Sequence, residues 1–519
     1  MQKKWFLAGI VFFISRLFFI NFGPVFFDSP AYLSRFADPS LLHALKDGHF
    51  PFHIGYILFG WPLYSLASNY FKNPEFAIIL FQIFLWIFAS YSFYNLVLLL
   101  VKNKKTAFCS LIYFSLTPLL WVTQVTIMMD SLYVALFIIA WYLYMKGSEA
   151  NNYTIRYYTF ASFILLFSLL THFAGFVFFP ALIFSVIFFG NQKNKRTRIL
   201  FFAFLSGSVF LYVISNIFFM GVRIYAEGIY GLYHDKAQLT FGVHSVLVFL
   251  RNAFIPVLRS NTVLLSLIAF LGLFIQFRKN LKLFILGFLI MAPMLFINQW
   301  WDSLLMGRHA LLGTIGIAMF GAIFVTTRPR VAIVSYLYLF ITVIPALLLL
   351  RGPIPYIQLR NEYVKIPKNS LYIESHFARP QIQMKQHTEI VFLDEPGWNN
   401  PSINDRIDQA LDGGRKVFVS SQALSEPYGL YSGPYLHPIS LSYKKEFILF
   451  EELQGKYSVK EFSVINKNDN LMLYEVNKKS SSVESIYPHV PKLIGSSRRI
   501  DYYDPIMQVW FYLNKWLQL

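Results

Sequence analysis

The chain has 519 residues, 56% of them hydrophobic and only 14% charged, with a net charge of +18 and a mean hydropathy of +0.49. A soluble domain of ordinary composition carries about 25% charged residues, so that class is excluded. Much of the basic excess sits in short loops beside apolar stretches, where it orients helices and meets anionic headgroups; nucleic acid is not the expected partner. The one cysteine, Cys109, lies inside an apolar stretch. It rules out an intrachain disulfide or a cysteine metal site and reads as a small buried apolar residue.

In chain order, MQKK precedes the apolar run 5–22, and no small-residue cleavage site follows. This predicts an uncleaved first span with a cytoplasmic N-terminus. The outer loop 23–75 comes next. Its segment 54–70 is apolar but short and contains Pro62. If that segment crossed, the lysines at 102–105 and the basic run at 193–198 would both face outward, so it is expected to lie in the interface. Further spans are predicted over 76–101, 106–123, 128–146, 157–172, 173–190, 199–220, 261–277, 282–298, 309–326 and 331–350. With the first they make about eleven, since ~20 apolar helical residues cross a bilayer. A second outer loop covers 221–260, and its segment 244–258 carries Arg251, with Arg259 just beyond. Parity makes that segment interfacial too, and every major basic cluster then faces the cytoplasm.

After Leu350 the pattern changes. Residues 369–374, 389–393 and 416–420 read as short strands, and 403–411 as a helix stopped by Asp412-Gly413-Gly414. Strands over 457–465 and 471–476 flank Asn466 to Asn470 and predict a hairpin. Strand, helix and strand at this spacing suggest a small α/β unit. The end, 503–519, is aromatic and amphipathic and is expected to return to the membrane surface. The predicted architecture is therefore a polytopic α-helical membrane domain, 1–350, followed by an external α/β domain, 351–519.

The outer loops hold the candidates for chemistry. Asp28, in Phe27-Asp28-Ser29-Pro30-Ala31-Tyr32, stands about one turn beyond the first span. Asp before Ser-Pro is also a good helix N-cap, and the residues alone leave both readings open. Arg308, Arg223, Arg251 and Arg259 fall at the expected interface, where an arginine either snorkels to headgroups or holds a phosphate bidentately. The histidines 49, 53, 172, 234 and 309 with a carboxylate have the donor set for a divalent metal, or simply hydrogen-bond at a wet interface. Asp130 opens the span at 128. Asp302, beside Trp300 and Trp301, suits either an interfacial anchor or a sugar contact.

Several of these segments together resemble the GT-C glycosyltransferases, integral-membrane enzymes that take sugars from polyprenyl-phosphate carriers. The matching residues are Asp28 to Tyr32; then His49-Phe50-Pro51-Phe52-His53-Ile54-Gly55-Tyr56, set against the family's His-Pro-Pro-Gly-Tyr-Pro-Leu-Tyr; then Asp130; and Arg308-His309, where the family often has Arg-Tyr. The paired prolines are absent, so either His49 or His53 takes the place of the family histidine. The resemblance implies a hexosyl or pentosyl transferase of a bacterial or archaeal cell membrane, acting at the outer face on a protein, lipid or glycan acceptor. It implies Asp28 as catalytic base, with Tyr32, His49, His53, Tyr56, Asp130, Arg308 and His309 around the substrates, and it admits a divalent metal; Arg223, His234 and Asp302 join the substrate-binding candidates from their place in the outer loops. A lone carboxylate fits the chemistry, because a polyprenyl phosphate leaves without protonation and only the acceptor hydroxyl needs a base. A polysaccharide polymerase or ligase, or a flippase for lipid-linked sugars, is the alternative. The charges gather at span ends and no internal repeat is evident, which disfavours a transporter.

Overall fold

The structure is a computed structural model that describes residues 2–20, 29–46, 53–71, 73–150, 153–190, 195–241, 253–254, 257–258, 260–297, 311–350, 365–374, 389–392, 400–421, 423, 453, 455–466, 471–479 and 506. The chain forms two compact units. One comprises 1–20, 38–348 and 500–519; the other comprises 21–37 and 349–499.

The larger unit is helical. It begins with α1 (Gln2–Leu17); the next helix in the chain, α2 (Ser29–Phe36), belongs to the smaller unit. Then come α3 (Leu41–Lys46), α4 (Ile54–Ser68), α5 (Glu75–Val101), α6 (Lys104–Leu116), α7 (Pro118–Gln124), α8 (Met129–Glu149) and α9 (Thr154–Thr171). A 3₁₀ turn, Phe173–Phe178, leads into α10 (Phe179–Phe189). It continues with α11 (Lys195–Met220), α12 (Val222–Phe241), α13 (Val263–Lys279), α14 (Leu281–Ile297), α15 (Thr314–Val325) and α16 (Pro329–Leu350).

Every segment expected to span contains helix. Four of the helices, α5, α8, α9 and α11, are long and apolar enough to cross a membrane, and the bent α6–α7 pair makes a fifth if it is one span. Shorter apolar helices cover Phe173–Phe189, Leu281–Leu295, Leu311–Val325 and Pro329–Pro345. Large apolar side chains point outward along these helices, among them Phe84 and Phe88 on α5 and Phe210 and Phe218 on α11. An outward apolar face over this much surface has lipid, not water, as its solvent. By contrast α8 and α15 are buried nearly all round, which places them at the centre of the unit. Close approach there depends on small residues. A Cβ added at Gly272 of α13 would lie 2.0 Å from the Phe320 carbonyl oxygen of α15.

Two local features differ from the sequence expectation. The segment 106–123 is not one helix but α6 and α7, bent by 64° at Thr117-Pro118. Proline lacks an N–H and pushes the preceding residue out of the helical region, and Thr117 is extended at φ −62°, ψ 125°. The outer loop expected over 221–260 opens with the 20-residue α12, joined to α11 through Gly221 at φ +82°. The basic turn at 102–105 is well formed. Lys102 closes α5 in the left-handed region, and the Asn103 side chain accepts from the Lys105 and Thr106 N–H groups that open α6.

The smaller unit carries β1 (Leu371–Glu374), β2 (Glu389–Phe392), β3 (Val417–Ser420), β4 (Tyr457–Asn466) and β5 (Leu471–Lys478), with α17 (Asn400–Asp412) between β2 and β3. The sheet order is β2-β1-β3-β5-β4. The first three strands are parallel, and the β4–β5 hairpin adds to β3 antiparallel through pairs such as Val419 with Tyr474. One face buries Leu371, Ile373, Val417 and Val419 against Ile403, Ile407 and Ala410 of α17. Glu374, fully buried at the end of β1, accepts hydrogen bonds from the Tyr372 and Ser420 hydroxyls. Tyr457 donates to Asp408 at 2.8 Å, and burial with that carboxylate holds its hydroxyl well above the ordinary tyrosine range.

Candidate functional site

The larger unit gathers four polar side chains from distant parts of the chain. His53 stands just before α4, Tyr56 lies in its first turn, Asp130 lies in the first turn of α8, and His172 links α9 to the 3₁₀ turn. All are buried: His53 is 5% exposed, His172 3%, and Tyr56 and Asp130 0%. A helix N-terminus is the favoured place for a carboxylate, since the backbone dipole and the unpaired N–H groups there are positive.

The two imidazoles are held in opposite tautomers when neutral. The His53 Nδ1 donates to the Thr171 carbonyl at 2.8 Å, so its Nε2 carries the lone pair. The His172 Nδ1 accepts the Ala174 N–H at 2.9 Å, so its Nε2 carries the proton. That Nε2 lies 4.0 Å from Asp130 Oδ1. The rings of His53 and His172 are 5.2 Å apart, and Tyr133 packs on His172 at 4.9 Å. Gly55 permits this approach of α4 to α9, because a Cβ there would sit 2.6 Å from Thr171 Oγ1 and 2.7 Å from its backbone nitrogen. The Tyr56 hydroxyl lies by the Met128 backbone, and that of Tyr133 by the Leu312 backbone, both within electrostatic reach of Asp130.

A buried brace stands beside the cluster. Arg16, at the end of α1 and 3% exposed, donates from Nε to Gln124 Oε1 at 3.0 Å and from Nη2 to the Ser115 carbonyl. Its guanidinium lies 3.9 Å from the Phe12 ring and 4.0 Å from that of Trp121. Gln82 of α5 donates to the Thr123, Gln124 and Thr126 carbonyls at 2.9, 3.4 and 3.2 Å. The bend at Pro118 leaves the Ser115 carbonyl, and the end of α7 leaves the Thr123 and Gln124 carbonyls, without their usual helical donors, and these two side chains supply them. The brace thereby sets the turn that runs from α7 into Asp130. Neither Arg16 nor Gln82 is marked by any motif. The only sequence signal is a polar residue inside an apolar run, which in a membrane protein is itself a reason to look.

The remaining sequence-derived candidates fall elsewhere. Tyr32 is buried in α2 of the smaller unit. Arg223 is 89% exposed on α12 and pairs with Glu227 one turn on at 2.8 Å, a helix-face ion pair and not a place in the cluster. His234 lies on α12, with its side chain outside the description. Asp28, His49, Arg251, Arg259, Asp302, Arg308 and His309 lie outside the described residues. Among the described residues no group of three or more His, Cys, Asp or Glu side chains is arranged to hold a metal ion, so no step is assigned to one.

Helices of this length, packing centre and lipid-facing surface define a polytopic membrane protein. Its fold is similar to that of ArnT, an aminoarabinose transferase, from Cupriavidus metallidurans bound to undecaprenyl phosphate, with a TM-score of 0.56 and 10% identity over 91% of this chain and 97% of that one. The apo state of the same protein gives 0.54. The oligosaccharyltransferase of Archaeoglobus fulgidus in its apo form gives 0.50 at 11% identity, over 96% of this chain and 77% of that one. These neighbours are GT-C glycosyltransferases, and the fold of this chain is similar to theirs. No protein-family model and no curated protein sequence matches the chain.

Proposed function

We propose that the chain transfers a sugar from a polyprenyl-phosphate carrier to a protein, lipid or glycan acceptor at the outer face of the membrane. The observation that carries this reading is the likeness, along nearly the whole of both chains, to a transferase structure that holds undecaprenyl phosphate. In the proposed reaction Asp28 takes the proton of the acceptor hydroxyl while its oxygen attacks the anomeric carbon. The bond from that carbon to the carrier phosphate breaks, and the phosphate leaves as an anion with no need of an acid. His53, Tyr56 and Asp130 are the proposed substrate contacts of the larger unit. The test is transfer of a labelled sugar from synthetic undecaprenyl-phosphate donors by the purified protein in detergent or liposomes. Turnover with at least one sugar is expected; none with any pentosyl or hexosyl donor would overturn the proposal.

Arg308 is proposed to hold the carrier phosphate. It precedes by four residues Leu312, whose backbone lies at the Tyr133 hydroxyl beside Asp130. A guanidinium at the start of an apolar segment meets the headgroup plane, where a polyprenyl phosphate lies while its tail stays in lipid. Arg308→Lys keeps the charge but loses the planar fork, and donor affinity should weaken, with Arg308→Ala weaker again. Unchanged donor binding in the alanine variant, measured by titration in detergent, would reduce Arg308 to a helix anchor.

The sidedness follows from the basic turns. Reporter fusions after Lys104 and after Asn369 should give opposite signals, inside and outside. Identical signals would overturn both the topology and an outward-facing site.

A further inference from the structure

We propose that His172 is a positioning residue that aims the Asp130 carboxylate at the substrate; this rests on the transferase reading, in which Asp130 is a substrate contact. Two of the contacts of His172 can be separated. Its Nδ1 caps the 3₁₀ turn by accepting the Ala174 N–H, and its Nε2 faces Asp130 Oδ1 at 4.0 Å. The first contact decides the second, because a nitrogen that accepts a backbone N–H leaves the ring proton on the other nitrogen. The cap thus orients an N–H donor toward the carboxylate. The ring cannot swing away, since it is wedged between His53 at 5.2 Å, Tyr133 at 4.9 Å and Phe173 at 5.3 Å.

A separation of 4.0 Å is an electrostatic contact, longer than a hydrogen bond. Asp130 is fully buried, and a carboxylate in that environment is stable only with donors directed at it. His172 supplies one from a rigid mount, which makes Asp130 a fixed acceptor for a substrate hydroxyl instead of a rotating one. His172 lies outside the segments that resemble the family, in a join between two helices, so the role is read from the geometry alone.

Two substitutions divide the contacts. His172→Asn keeps the cap, since asparagine is a good N-cap and His172 already has the extended backbone a cap requires, φ −158°, ψ 122°. It is too short to reach Asp130. His172→Gln places an amide N–H about where Nε2 stands but loses the cap. A positioning role predicts that Asn melts like the parent yet loses roughly ten-fold or more in kcat, the usual worth of a hydrogen bond to a charged group. Gln should keep kcat within about three-fold while melting lower. Full activity in Asn with loss in Gln would show that His172 only caps the turn and would overturn the inference.

A second measurement does not depend on turnover. The ¹⁵N resonance of His172 Nε2, assigned by its loss in His172→Asn, should report a protonated Nε2 and shift in Asp130→Asn. An unmoved resonance would overturn the coupling even if the parent transfers sugar well. A parent that transfers nothing while the resonance shifts would overturn the transferase reading alone and leave His172 coupled to Asp130.

Discussion

Asp28→Asn should insert and fold like the parent and lose ~10²-fold or more of its transfer rate, the usual worth of a positioned general base. Asparagine keeps the size of the side chain and most of its hydrogen bonding but cannot take a proton. It also remains a good N-cap, and the helix α2 begins at Ser29, the next residue. The substitution therefore separates the two readings the sequence leaves open. If Asp28 only caps α2, the variant works as well as the parent, because Asn and Asp cap about equally. If Asp28 is the base, kcat collapses while the melting temperature and donor affinity hold. Full activity against an authentic donor and acceptor would remove Asp28 from the mechanism and move the search for a base to the buried cluster around Asp130.

Arg16→Met should destabilise the membrane unit by roughly 3–5 kcal/mol, visible as a lower melting temperature and a smaller yield of monodisperse protein. Methionine keeps the length of the stem and its apolar contacts but none of the donors. The Ser115 carbonyl and Gln124 Oε1 then lose their partner in the interior, and each unmet buried group costs about 1–3 kcal/mol. Loss of the two ring contacts, with Phe12 and Trp121, adds up to about 1 kcal/mol each. Arg16→Lys should fall between, since an ammonium lacks the planar fork that serves two acceptors while stacking on rings. Wild-type stability in Arg16→Met would mean that the bend at Pro118 satisfies itself and that this arginine braces nothing.

The sequence determined the helical membrane architecture through length and hydropathy, which need no tertiary information: an apolar run of ~20 residues has no good alternative to a helix in lipid. It determined the short strands for a similar reason, since 369–374 and 416–420 are brief β-branched and aromatic runs bounded by turn residues, and β1 and β3 lie there. The turn at Lys102-Asn103 was legible too, because capping acts over three residues. The motif resemblance pointed to His49 or His53, to Tyr56 and to Asp130, and of these His53, Tyr56 and Asp130 lie close together in the fold.

Tertiary structure decided what depends on partners far apart in the chain. Arg16 and Gln124 are 108 residues apart, and His53 and Thr171 are 118 apart. Hydropathy treats Arg16 and Gln82 as flaws in apolar runs, whereas in the fold they satisfy carbonyls left by the bend at Pro118 and by the end of α7. The sequence shows His172 only as a polar join between two helices; its tautomer is set by a backbone N–H two residues on, and its direction by where α8 begins. Arg223 shows the converse. Its position in an outer loop suggested a phosphate ligand; the first part of that loop is α12, and there Arg223 pairs with Glu227 one turn away, a short-range contact. A short-range pattern is written in the chain itself, while the partner of a buried polar group is chosen by packing, and packing is settled only when all the helices are in place.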